Sequence, residues 1–260
     1  MRTYEFEFTT EIKFSLPVTN HNFVLKCMPI SNVSQLIYDE TLIISPSADF
    51  TLGTDSFGNK TVNGSINSPH KEFMFSVKGK AHLSKYKIMD DIDRVYLYPS
   101  KNTHMSKEMN EFFNSLDLPV TPKEKAVCIS KAVYEYMSYV KGSTTVDTTA
   151  SEAFALKMGV CQDYAHITTA LLRKAGIPAR YAAGFIEGDG ETHAWVEYYC
   201  NGAWYGIDPT NNNEIEYGYI KLSHGLDSSS AGVERGCFVS NEGIVTQSSE
   251  ITVKVGEINA

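Results

Sequence analysis

The dipeptide Asn201-Gly202 constrains this chain more tightly than any other pair of residues. It lies between two stretches of strand character, Thr192 to Cys200 and Ala203 to Asp208. Asn-Gly readily supplies the two positive-φ residues of a two-residue hairpin turn. That loop length predicts Cys200 opposite Ala203, Trp195 opposite Asp208 and His193 opposite Thr210. Strand side chains alternate between faces, so His193, Trp195, Glu197 and Tyr199 share a face with Trp204, Gly206 and Asp208. His193 and Asp208 become diagonal neighbours, with Cα atoms roughly 7–8 Å apart. A carboxylate there can hold one imidazole nitrogen. The other nitrogen is expected to point off the sheet, towards the helix packed on it.

A third reactive group precedes this hairpin. In Gly159-Val160-Cys161-Gln162-Asp163-Tyr164-Ala165, the cysteine opens a helical pattern. Tyr164, Ile167, Thr168, Leu171, Leu172 and Ala175 recur on one mostly apolar face, and Gly176 and Pro178 end the run. Cys161 lies one turn before Tyr164, on the buried face at the helix N-terminus. The unpaired N–H groups and positive dipole end there favour a thiolate. Taken singly, each residue has an ordinary reading: packing for Cys161, a hydrogen-bonded core histidine for His193, a strand-ending turn for Asp208-Pro209. Together they form the parts of a Cys-His-Asp nucleophilic site.

The surrounding pattern indicates an α+β chain in two parts. Residues 1–100 alternate like strands at Glu5 to Phe14, Asn22 to Met28, Gln35 to Ser45, Lys60 to Ile66, Glu72 to Gly79 and Arg94 to Tyr98. Clusters such as Ser56-Phe57-Gly58-Asn59 separate them, which predicts an all-β sandwich. Pro99 to Thr103 reads as a linker. Residues 101–260 open with helices: Ser106 to Asn114, a helix capped by Thr121-Pro122-Lys123-Glu124, and Ala150 to Met158, capped by Thr149 and Glu152 and stopped by Gly159. Strands follow from Ala179, with a second hairpin expected between Val233 to Ser240 and Ile244 to Val255. Helices before an antiparallel sheet make an α+β domain.

Charge and cysteine usage exclude some functions. A net charge of −8 gives no electrostatic case for nucleic acid or an anionic membrane. No apolar run approaches the ~20 residues of a membrane span, and the acids in Arg2 to Phe8 do not suit a signal peptide, so a cytoplasmic protein is expected. The five cysteines, Cys27, Cys128, Cys161, Cys200 and Cys237, are scattered without a CxxC, which argues against disulfides or a zinc knuckle. Cys161, His166 and His193 match no zinc spacing. Asp163 and His166 read as structural hydrogen-bonding residues. Asn211 either helps position Asp208 or forms the turn. Trp195 and Trp204 either wall a substrate cleft or pack across strands.

These motifs resemble the transglutaminase-like superfamily, in its bacterial branch of cysteine-protease type. The matching stretches are Thr148 to Ala153, Gly159 to His166, Gly176-Ile177-Pro178-Ala179-Arg180-Tyr181, His193-Ala194-Trp195-Val196-Glu197 and Asp208-Pro209-Thr210-Asn211. The β-rich start, with Asp55 to Asn59, resembles the branch's N-terminal domain, and His224 to Gly236 its C-terminal segment. The resemblance implies a papain-like transglutaminase core with Cys161 as nucleophile, His193 as base and acid, and Asp208 orienting His193. The implied chemistry is attack on an amide of a peptide or protein, a thioester, and its resolution by water or an amine; a non-catalytic scaffold is the alternative. Animal relatives follow the nucleophile with tryptophan and often use calcium. Here Gln162 follows, and no acidic cluster has calcium-loop spacing, so no metal and no other cofactor is expected. The Cys161 N–H is the expected oxyanion donor, with Thr148, Thr149 and Trp195 as candidate substrate contacts. A homo-oligomer is left open.

Overall fold

A computed structural model describes residues 1–258. The N-terminal part contains β1 (Arg2–Leu25), β2 (Gln35–Ser45), β3 (Asp49–Thr54), β4 (Lys60–Ile66) and β5 (His70–Leu83). Strand β1 is one run of 24 residues, not the two strands expected over Glu5–Phe14 and Asn22–Met28. Its pairing with β5 shifts register between Lys13 and Val18, at the Ser15-Leu16-Pro17 interruption that reads as a break. Alternation buries Phe6, Phe8, Ile12 and Phe14 along the first half of β1, and Phe23 and Leu25 along the second. Phe23 packs 4.9 Å from Phe73 of β5, centroid to centroid, while Phe73 pairs across the sheet with Ile12. The two halves of β1 therefore enclose one aromatic core. Strand β3 is missing from the sequence reading because all six of its residues are exposed. Arg94–Leu97 is a 3-10 turn rather than a strand, opened by Asp93, whose side chain accepts from the Val95 N–H.

The core follows with α1 (Lys107–Ser115), α2 (Pro122–Tyr136), β6 (Ser138–Tyr139), α3 (Ala150–Leu156), β7 (Met158–Gly159) and α4 (Cys161–Lys174). Strands β8 (Ala179–Ile186), β9 (Gly188–Gly190), β10 (His193–Cys200), β11 (Ala203–Asp208), β12 (Asn213–Glu214) and β13 (Tyr219–Gly225) come next, then the short α5 (Ser228–Ala231). Five of these strands form an antiparallel sheet in the order β12-β11-β10-β8-β13. The Asn-Gly register is as expected: Cys200 pairs with Ala203 and Val196 with Ile207, and both turn residues have positive φ, 49° and 78°. Helix α4 buries Ile167, Leu171 and Leu172 against Ala194, Val196 and Tyr198. It thus covers the face opposite Trp195 and Glu197, which corrects the expectation that the helix sits over the histidine's face. Both faces of β10 carry large aromatic side chains, Trp195 and Tyr199 on one and Tyr198 on the other, so alternation could not choose between them. No helix among the described residues is long and apolar enough to cross a membrane.

The chain ends with β14 (Glu234–Val239) and β15 (Gln247–Ile258). They are not the expected hairpin. Strand β14 pairs with the second half of β1 and β15 with the first half, over Thr3 to Phe14. A boundary at residue 100 therefore separates elements in sequence only: the last strands complete the N-terminal sheet. Its outer strand is β9, from the core, which pairs with β15.

Candidate active site

Cys161 is the first residue of α4, and its position is held from three sides. The Asp163 carboxylate accepts from the Val160 N–H at 2.8 Å and from the Thr144 hydroxyl at 2.6 Å, closing the helix start. Burial raises its pKa. The parallel pair β6–β7 sets Tyr139 beside Gly159. A Cβ at Gly159 would stand 2.5 Å from an Asp163 carboxyl oxygen, so glycine is needed for this approach. It does not end α3, as expected; Lys157 does, with φ 54°. His166 is fully buried one turn on, accepts from the Ser228 N–H at 3.0 Å and takes no part in the site.

His193 is the first residue of β10, so imidazole and thiol meet where a strand and a helix both begin. The His193 Nε2–H donates to Asp208 Oδ2 at 2.7 Å. An ionised carboxylate only accepts, so Nε2 carries a proton; Cys161 lines the same cleft as this ring and acts on its charge. Burial works to lower the His193 pKa, but the hydrogen bond it donates to Asp208 and the influence of Cys161 outweigh it and hold the group up at about 10. Asp208 is fully buried. Its Oδ1 accepts from the N–H groups of Thr210 at 2.8 Å and Asn211 at 3.2 Å. Its Oδ2 also accepts from Asn211 Nδ2 and the Tyr219 hydroxyl, both at 2.7 Å. Burial raises its pKa, yet His193 and these donors leave it lowered overall. Asn211 thus does both jobs open to it. Tyr219 was illegible, because it arrives from β13, a strand not adjacent to β11.

Cys161 and His193 open onto one cleft of about 480 Å³. Its walls are the segment from Tyr139 to Val146, residues 186–192 and Val253 of β15. Lys141 and Glu191 join the two sides with a 2.9 Å ion pair. The three expected substrate contacts lie elsewhere. Trp195 is fully buried, and its indole N–H donates to the Tyr86 hydroxyl at 3.0 Å. Thr149 caps α3, and the Thr148 hydroxyl accepts from the Thr145 N–H at 2.9 Å. The cleft is lined instead by Thr144, Thr145 and Val146, with the Gln162 amide tied to the Thr145 carbonyl at 3.3 Å. Trp204 is likewise core, stacked under the Arg180 guanidinium at 4.1 Å.

Four residues beyond His193 along β10, on the same face, lies a second ionic group. Glu197 is fully buried between Arg180 and Lys221, with Lys221 Nζ at 2.9 Å and the Tyr86 hydroxyl donating at 2.5 Å. Burial alone would raise its pKa; Arg180 and Lys221 hold it far below the usual carboxylate range. This carboxylate has no solvent exposure and does not line the space in front of Cys161. Among the described residues no group of three or more His, Cys, Asp or Glu side chains gathers as a metal site.

The fold and this geometry define a helix-and-antiparallel-sheet core with a cysteine, a histidine and an aspartate brought together at one end of the sheet. Residues 114–209 match the family model of the transglutaminase-like superfamily, and residues 4–82 that of the bacterial transglutaminase-like N-terminal region. The chain belongs to the transglutaminase-like superfamily, with the bacterial N-terminal region in front of the core. An uncharacterised protein of Mycobacterium leprae is 24% identical over 255 residues, 88% of this chain and 91% of its own length. A protein-glutamine gamma-glutamyltransferase of Pseudomonas aeruginosa is 32% identical over 103 residues, which span 35% of this chain and 15% of that protein. In fold, the chain matches a solved structure from Cytophaga hutchinsonii, described as a candidate cysteine protease, with a TM-score of 0.82 and 22% identity over all of this chain and 92% of the other.

Proposed function

We propose that this protein is a thiol-dependent enzyme acting on amide bonds of peptides or proteins, with Cys161 as nucleophile, His193 as acid and base, and Asp208 as the residue that orients His193. The observation that carries this reading is the 2.7 Å bond from His193 Nε2 to a buried carboxylate, on a ring that opens together with Cys161 onto one cleft. Raised to about 10, His193 carries at neutral pH the proton that a departing nitrogen needs.

In this reading the thiolate attacks the amide carbon. The developing oxyanion is met by the Cys161 backbone N–H, which has no acceptor in the first turn of α4. His193 gives its proton to the departing nitrogen, the C–N bond breaks, and a thioester remains on Cys161. Water or an amine then loses a proton to His193 and attacks the thioester. The C–S bond breaks and the thiolate returns. Water as acceptor makes a hydrolase, an amine a transferase. The Pseudomonas relative's name denotes transfer from glutamine, which makes glutamine peptides the first substrates to try.

The test is intact-mass spectrometry after quenching the protein in acid during incubation with a glutamine-containing peptide library. The reading predicts an acyl adduct, mapped to Cys161 and absent from Cys161→Ala. No adduct under any peptide, with Cys161 reduced throughout, would overturn it in favour of a non-catalytic scaffold.

A further inference from the structure

The strand that leads into His193 has an open side. Strand β9, Gly188-Asp189-Gly190, pairs with β15 through Val253, Lys254 and Val255, and is the last strand of its sheet. All three residues are exposed and line the cleft that holds Cys161 and His193. An edge strand presents unpaired N–H and C=O groups, a template for one more strand. Two of its three residues are glycine: Gly188 holds φ 113°, which favours glycine, whereas Gly190 has an ordinary φ and a Cβ there would have nothing within 4 Å. Glycine in a strand often marks a place where another backbone comes close. The N-terminal sheet therefore reaches into the cleft and ends, three residues before His193, in a bare backbone edge.

We propose that β9 is the substrate-binding edge: an extended peptide bearing lysine or arginine beside its reactive residue adds to β9 as a further strand. The inference rests on Cys161 being the nucleophile. Main-chain pairing supplies affinity in such strand addition, and flanking side chains supply selectivity. The charge follows from the lining: Glu187, Asp189 and Glu191 line the cleft, Lys141 pairs with Glu191, Lys254 of β15 stands across from Asp189, and the His193 imidazolium is matched by Asp208, which leaves an acid in excess. A basic peptide relieves that excess, and an acidic one aggravates it. The N-terminal sheet then contributes to the site directly, by holding β9 in place through β15.

Chloroacetamide probes separate the two levels of this argument. In each, Cys161 Sγ displaces chloride, forming a C–S bond as the C–Cl bond breaks. Free 2-chloroacetamide is compared with capped pentapeptides carrying the same group on the central side chain. One peptide is flanked by lysines, one by glutamates, and one by lysines with methylated backbone nitrogens. Rates are read at Cys161 by peptide mapping. Expected are saturable labelling by the lysine peptide, an advantage of about tenfold over the glutamate peptide that shrinks in high salt, and a loss of about tenfold on backbone methylation. Asp189→Lys should erase or reverse the charge preference, and Gly190→Val should weaken saturation by both unmethylated peptides. Fast labelling by free chloroacetamide with no advantage for any peptide would overturn the inference and leave the nucleophile standing. A lysine preference indifferent to methylation would overturn the strand pairing. Free chloroacetamide no faster at Cys161 than at the exposed Cys237 would overturn the nucleophile, and this inference with it.

Discussion

Strand β10 carries two buried ionic groups on one face, His193 with Asp208 and Glu197 with Arg180 and Lys221, and only one of them has the parts of a reactive site. Both are strongly shifted from their ordinary values, Glu197 downward and His193 upward. Its cations already sit against Glu197, which has no solvent exposure. His193 lies at the strand's first residue, and its ring opens together with Cys161 onto a cleft. A strongly shifted pKa therefore marks either a structural ion cluster or a reactive pair, and access decides which. The same strand supplies both because its interior is sealed by Trp195, Trp204 and Tyr86, while its beginning is not.

That contrast can be broken by substitution. At the open end, His193→Ala should reduce acylation of Cys161 by about 10²–10⁴-fold, the range for a lost general acid and base, with modest change in a urea melt. At the closed end the effects should exchange. Glu197→Ala leaves Arg180 and Lys221 buried without their partner and should cost about 3–5 kcal/mol of stability in urea unfolding. Equal loss of stability in both variants would erase the distinction.

Asp208→Asn sharpens the comparison through pH. Folding raises His193 from 6.5 to about 10. Its contribution to stability is therefore complete below pH 6.5 and disappears as pH rises through about 10. The asparagine variant should lose that alkaline decline, and the alkaline limb of its acylation rate should move down towards neutrality. Tyr219→Phe is the mildest change. It removes one of several donors to Asp208 and should lower acylation by about tenfold or less, shifting the same limb downward in smaller measure.

Much of this site is legible in the chain, for physical reasons that can be named. Asn201-Gly202 forces a tight turn, so the His193–Asp208 adjacency follows from alternation alone. Cys161 is marked by its place before an amphipathic run. What escaped reading depends on long-range packing. Both faces of β10 carry aromatic side chains, so the face covered by α4 could not be chosen, and Trp195 could pass for a cleft wall. Thr148 and Thr149 precede the cysteine in sequence, but Thr149 caps α3 and Thr148 closes a turn on Thr145. Tyr219 joins Asp208 from a strand at the other side of the sheet. The late strands β14 and β15 read as each other's partners, whereas β1 is long enough to receive both in succession. The one local clue left unused was Gly188-Asp189-Gly190, a glycine-rich strand immediately before His193.

The central claim is that His193 and Asp208 turn Cys161 from an ordinary free thiol into a nucleophile. Site-resolved iodoacetamide labelling at pH 7 tests it within one molecule, with the exposed Cys237 as internal standard. The account predicts that Cys161 reacts at least about tenfold faster than Cys237, despite being the less exposed of the two, and that His193→Ala removes the excess. Equal rates at the two cysteines, or a fast Cys161 indifferent to His193→Ala, would contradict it.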